Sequence, residues 1–162
     1  MTLLNQINSL LLTSFLLIMS SLVYFQFTET KAFMVNQMES DLNNTVTSLS
    51  LRLKPHLEIG DEATVNTLVN VIFEGGFYKK VHLTWFADQK QKVWENDVRV
   101  KKVPQWFIDL NLFEEQSKEV TITSGWLQLA TLKVESNPAI GYQELWRIMN
   151  DTLIILSVIF IL

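Results

Sequence analysis

The chain has no cysteine, only two histidines and five glycines, and not one charged side chain in its first 28 residues. Without cysteine there is no disulfide and no zinc site built on thiolates; the redox compartment stays undecided, because oxidising and reducing compartments both hold cysteine-free chains. His56 and His82 lie far apart in sequence, and neither metal-ligand spacing nor a Gly-rich phosphate loop accompanies them, so they read as solvated side chains. Enzymatic readings are therefore weak. The paired acids Glu114-Glu115, and Glu58 with Asp61, do not resemble a calcium loop and read as surface charge.

All 13 Lys/Arg and 17 Asp/Glu fall between Glu29 and Asp151, which marks that segment as the soluble domain. Ahead of it, residues 7–27 read INSLLLTSFLLIMSSLVYFQF. At about 1.5 Å per helical residue this run crosses a hydrocarbon layer of about 30 Å. A cleaved signal peptide is the rival, but no Lys or Arg precedes the run and no A-x-A site follows it. Behind the last charge, TLIILSVIFIL (residues 152–162) is half the length of a span. The expected division is a first transmembrane helix in 1–27, an extracytoplasmic domain on a helical stalk in 28–151, and the truncated start of a second transmembrane helix in 152–162. With the second flank missing, Lys/Arg counting cannot fix the orientation.

Val35, Met38, Leu42, Val46, Leu49 and Leu53 recur at steps of three and four, one stripe of a helix continuous with the membrane run and ended by Pro55. Asp61 N-caps a second helix with Val65, Leu68, Val69 and Ile72 inward and Gly75-Gly76 as its stop. Val81, Leu83 and Trp85 alternate with Lys80, His82 and Thr84, a strand with one wet face. QKVWEND is a second strand after the turn ADQK, and VRVKK continues its alternation. Pro104 opens a short amphipathic helix at its first position. KEVTIT and WLQLATLKV are strands joined at Ser124-Gly125, and Asn137-Pro138 launches the helix that passes Trp146 toward the second apolar run. Trp85 and Trp146 are expected in the core and in helix packing, with Trp106 and Phe107 capping the sheet. An antiparallel sheet with flanking helices follows, an α+β, PAS-like extracytoplasmic domain.

Seven of the basic residues fall between Lys79 and Lys102, beside Trp85 and Trp94, a pattern superficially suited to nucleic acid. Asp88, Glu95 and Asp97 dilute it and the chain is acidic overall, so no nucleic-acid partner is expected. The hairpin differs. If Ala130, Leu132 and Val134 face the core, Leu127 and Leu129 share the wet face with Thr131 and Lys133, and Trp126, Leu127 and Leu129 form an apolar cluster at a bare hairpin end. Such clusters mark interaction sites, and a buried Trp anchor is worth ~2 kcal/mol or more. The pattern alone equally allows a bulge that re-aims the strand, or a tip covered by a dimer partner or membrane.

The stretches IFEGGFY (72–78), VPQWF (103–107), Gly125-Trp126, VESNP (134–138) and Leu145-Trp146 resemble, in order and spacing, the periplasmic domain of LapD-type cyclic-di-GMP receptors, related to the sensor region of MoxY-type histidine kinases. The resemblance implies an inner-membrane receptor that signals from inside to outside. A HAMP segment and degenerate GGDEF and EAL domains would follow the second span, the EAL module binding cyclic-di-GMP without turning it over. The periplasmic domains would then capture LapG, a calcium-dependent cysteine protease that clips a biofilm adhesin. Gly125 and Trp126 match the family's Gly-Trp pair, whose indole enters an apolar pocket on LapG, and Leu127 stands where an acidic residue follows in LapD proteins. Protein binding is thus expected at Gly125, Trp126, Leu127 and Leu129, in a homodimer that exchanges elements in the family, with no cofactor in this chain. The alternative is an outside-in sensor of a kinase or cyclase with a small ligand in a polar-lined pocket, which would tolerate a buried Trp126.

Overall fold

A computed structural model describes residues 3–96, 100 and 102–161, with the side chains of Leu3, Leu4 and Ile161 excepted. The chain forms two compact units, one of residues 1–34 and 144–162 and the other Val35–Gln143. Two helices belong to both: α1 (Leu3–Glu58) and α4 (Pro138–Ile161).

In the first unit the apolar halves of α1 and α4 flank a groove of 660 Å³, lined among others by Phe15, Met19, Tyr24, Met149 and Leu153. Phe15 stacks on Phe160 with ring centroids 5.8 Å apart. Some of the hydroxyls here fold back on their own helix, Thr13 donating to the Ser9 carbonyl (2.7 Å) and Ser157 to that of Leu153 (2.7 Å). A hydroxyl satisfied in this way costs little in hydrocarbon. Among the described residues α1 alone is long and apolar enough to cross a membrane.

The second unit is a four-stranded antiparallel sheet with helices packed on it, the α+β class expected from the sequence. It comprises α2 (Glu62–Phe73), β1 (Tyr78–Trp85), β2 (Gln91–Glu95), the single turn α3 (Gln105–Ile108), β3 (Ser117–Ser124) and β4 (Leu127–Ser136), in the order β2-β1-β4-β3. Leu42, Val46, Leu49 and Leu53 of α1 and Val65 and Val69 of α2 pack with Val81, Leu83, Ala130, Leu132 and Val134 of the sheet, all buried. The stripe on α1 from Leu42 to Leu53 is thus consumed by the unit's own core, while Val35 and Met38 at its start are half-buried and outside that cluster. At about 1.5–3 kcal/mol per fully buried aliphatic side chain, this contact is the main source of the unit's stability.

Helix α1 does not stop at Pro55; it runs on to Glu58. The ring removes one donor in the final turn, but Leu57 beyond it still packs against the core. The stop lies at Gly60 (φ +72°), where Gly60 N–H donates to the Leu57 carbonyl (3.3 Å) and Asp61 N–H to that of His56 (2.9 Å). This is a Schellman closure, which needs the left-handed backbone that glycine supplies without strain. Asp61 then caps α2, accepting from Thr64 N–H at 3.1 Å. Pro104 is likewise not the first helical residue but the extended N-cap before α3 (ψ 143°). Strand β2 ends at Glu95, short of the expected Asn96; of the rest of its expected course, Asp97, Val98, Arg99 and Lys101 lie outside the described residues, while Val100 and Lys102 are not in a strand, Lys102 taking φ +62°.

Candidate functional site

Strands β3 and β4 pair from Ser117↔Glu135 to Ser124↔Leu127, so the two-residue turn is Gly125-Trp126 and not Ser124-Gly125. Gly125 has φ +60°, and among the described non-glycine residues with positive φ Trp126 is absent. A positive φ at the first central position alone is the type II′ pattern, whose twist suits a tight hairpin. No atom lies within 4 Å of a Cβ built at Gly125, so its role there is conformational.

The pairing jumps from Ile122↔Ala130 to Thr123↔Gln128, leaving Leu129 as an extra residue in β4. A bulge of this kind changes which face each later side chain occupies. Leu129 turns toward the core and packs against it, half-buried. Leu127 pairs with Ser124, two positions from buried Ile122, and so takes the helix-covered face rather than the wet face expected with Thr131 and Lys133. The exposed apolar surface of the tip is therefore Trp126, 94% exposed, with Leu127 at 51%.

Strand β1 ends at Trp85, opposite Ala130, and Phe86 N–H donates to the Leu129 carbonyl (3.0 Å) as the last tie between them. Residues 127–129 and the turn thus extend past β1 by about 10 Å at ~3.3 Å per residue. A turn tip on two antiparallel strands holds the indole out from the body of the unit. Among the described residues of its own unit, none covers it.

The other sequence candidates are held elsewhere. His56 Nδ1 lies 3.5 Å from Asp61 Oδ2 at the α1–α2 junction, while His82 pairs with Lys133 and Val93 across the wet face. The Thr64 hydroxyl, and after it the Thr64 N–H, hold the Asp61 carboxyl below the usual range. Lys79 pairs with Glu115, Lys80 with Glu95 (3.4 Å) and Lys90 with Glu62, and Lys92 lies over the Trp94 ring at 5.1 Å. The basic stretch is thus interleaved with carboxylates and aromatic faces, while Arg99 and Lys101 lie outside the described residues. On the wet face Lys133 donates to Glu135 (2.8 Å), which lowers the Glu135 pKa. Among the described residues no group of three His, Asp or Glu side chains is placed to hold a metal ion.

Trp85 packs against the core as expected, with Lys90 over its ring. Trp106 does not cap the sheet; it is 60% exposed and meets Phe107 edge-on at 5.6 Å. Phe107 is buried instead against Tyr142 of α4 (centroids 6.4 Å). A crevice of 290 Å³ with polar lining opens between α1 and β3, beside Glu39, Asn43, Gln116 and Lys118. It had no signal in the local sequence, because its residues come from two distant elements.

Residues 23–146 match the family described as the LapD/MoxY periplasmic domain, from within the apolar half of α1 to Trp146 of α4. The chain belongs to the LapD/MoxY periplasmic domain family. That match takes in the whole of the second unit and with it the Gly125-Trp126 hairpin. Among solved structures, the periplasmic domain of LapD from Pseudomonas fluorescens is similar, 28% identical, covering 75% of this chain and 95% of that one, with a TM-score of 0.40. No curated protein matches the chain. A LapD/MoxY periplasmic domain joined to an apolar helix of membrane-crossing length makes this a membrane-anchored protein with a periplasmic, regulatory domain.

Proposed function

We propose that this LapD/MoxY domain is the protease-capturing part of an inner-membrane cyclic-di-GMP receptor. In this reading residues 28–151 stand in the periplasm between two transmembrane helices. Trp126 is the anchor that enters an apolar pocket on a LapG-like cysteine protease, with Gly125 shaping the turn and Leu127 beside it. Leu129 acts from below, its packing on the core bracing the base of the tip. Cyclic-di-GMP binds at a cytoplasmic domain outside this chain and shifts a homodimer, which exchanges elements between protomers, into the competent arrangement. The captured protease no longer releases the adhesin, and the biofilm is retained. The chain itself carries out no chemistry.

The observation that supports this reading most is the 94% exposure of Trp126 at a tip projecting past the sheet. An indole has only two side-chain torsions to fix when it docks, and Trp is enriched among interface anchors. An outside-in sensor has no need of that exposure. Leu127 in place of an acidic residue makes the expected contact more apolar and less sensitive to salt. The test is cleavage of an adhesin-derived substrate by a LapG-type protease. Stoichiometric addition of the chain in detergent micelles should suppress cleavage, and the Trp126→Ala chain should not. Equal suppression by both, or by neither, would overturn the reading.

A further inference from the structure

Helix α4 is a single uninterrupted element from Pro138, at the end of β4, to the apolar run at its far end. Strand β4 reaches it through the covalent chain at Ser136-Asn137. Asn137 is pinned in turn, its N–H donating to the Phe77 carbonyl (3.1 Å) and its Nδ2 to that of Gly76 (3.0 Å). One strand of the Trp126 hairpin is therefore tied directly to α4. The other, β3, lies at the sheet edge and has no such link through the chain.

A second tie is built from side chains. Phe107, Phe113 and Tyr142 are all buried, yet they stand apart from the cluster that joins the sheet to α1 and α2. Phe113 meets the Tyr142 ring edge-on at 5.1 Å, and Phe107 meets it edge-on at 6.4 Å. Tyr142 Oη accepts a hydrogen bond from Leu112 N–H at 2.9 Å. Gly141 leaves the room for this contact, since a Cβ there would stand 2.9 Å from the Phe113 Cδ1 and Cε1 atoms. Glycine inside a helix costs about 1 kcal/mol relative to Ala, so close approach of the ring gives it a reason to be there. Four residues after Phe113, β3 begins. Its entry is fixed by Ser136, whose N–H donates to the Gln116 carbonyl (2.8 Å) and whose Oγ accepts from Gln116 N–H (3.1 Å).

We infer that the Phe107–Tyr142–Phe113 cluster on Gly141 is a coupling joint that ties β3 to α4, so that both strands of the Trp126 hairpin follow a displacement of that helix. Without it, β3 would follow a turn or shift of α4 only through its pairing with β4 and the Ser136–Gln116 bonds. What the moving hairpin accomplishes rests on the docking reading above; the coupling itself does not, and it can be measured with no partner present.

The test is hydrogen–deuterium exchange on the full chain in nanodiscs, comparing wild type with Gly141→Ala and Tyr142→Phe. The alanine methyl must displace the Phe113 ring, whereas Tyr142→Phe keeps the ring and removes only the acceptor of Leu112 N–H. Exchange should quicken roughly fivefold or more from residue 105 through Ser124 in both variants, with β1 and β2 unchanged, because local opening is confined to the elements that share the joint. Faster exchange that stops before Ser117 would overturn the inference, as would equal acceleration in all four strands of a Tyr142→Phe chain. Should Gly141→Ala fail to fold, Tyr142→Phe decides by the same readout. Loss of protease capture with normal exchange would instead count against the docking reading alone.

Discussion

Two tryptophans of this chain should respond very unequally to the same truncation. Trp126 is 94% exposed and Trp94 only 8%. With about 250 Å² on a tryptophan side chain, Trp126 hides ~15 Å², worth ~0.4 kcal/mol at ~25 cal/mol per Å². Trp94 hides ~230 Å², an upper bound of ~6 kcal/mol that a compact denatured state reduces to ~4 kcal/mol. Its Nε1–H also donates to Asn70 Oδ1 at 2.7 Å, tying β2 to α2. At roughly 3–5 °C per kcal/mol for a unit of this size, Trp94→Ala should lower the melting temperature by ~15 °C and Trp126→Ala by less than ~2 °C. Thermal unfolding of the chain in detergent, followed by near-ultraviolet circular dichroism, reads both. A drop for Trp126→Ala comparable with that for Trp94→Ala would mean that the tip indole is packed, and the geometry claimed for the hairpin would be wrong.

Three further outcomes follow from the same structure. Gly125→Val forces a β-branched residue to φ +60° and should cost about 1–2 kcal/mol, visible as a lower melting temperature, while leaving the buried core intact. Leu49→Ala, at a fully buried position where α1 meets the sheet, should cost about 3–4 kcal/mol by the same assay; an effect below about 1 kcal/mol would show that the α1 contact is not what holds the unit together. The Asp61 carboxyl titrates below its unfolded value because the Thr64 hydroxyl and N–H favour its charged form. Its contribution is therefore fully present above the unfolded pKa of about 4 and is lost as pH falls through the lower folded value. The stability difference between wild type and Asp61→Ala should thus shrink below about pH 4, and a difference that stays flat to pH 2 would contradict the cap.

Much of this fold is legible in the sequence wherever one local pattern decides the outcome. The stripe from Val35 to Leu53 and the alternations Val81-Leu83 and Ala130-Leu132-Val134 each assign a face by period alone, and each is buried as the period implies except Val35 and Met38, which are half-buried. Asp61 announces its cap because the side chain bonds a residue three positions away. Features set by a distant partner are not legible in this way. The bulge at Leu129 exists only relative to β3, and it moved Leu127 off the face its parity predicted. Helix α1 passes Pro55 because Leu57 gains packing from other elements that outweighs one missing hydrogen bond. Phe107 finds Tyr142, far along the chain, instead of the sheet, which leaves Trp106 outside. Gly141 was the one local hint of that arrangement, a glycine where a helix would otherwise favour alanine. Trp126 was legible as an oddity from its place after a turn glycine, yet its exposure depends on β1 ending where it does.

Calorimetric titration of a LapG-type protease into the full chain in micelles, wild type against Trp126→Glu, tests the central claim most directly. The account predicts that wild type binds and that the variant, equally folded by circular dichroism, loses about 2 kcal/mol or more, a weakening of roughly 30-fold. Equal binding by the two proteins, or none by the wild type, would contradict it.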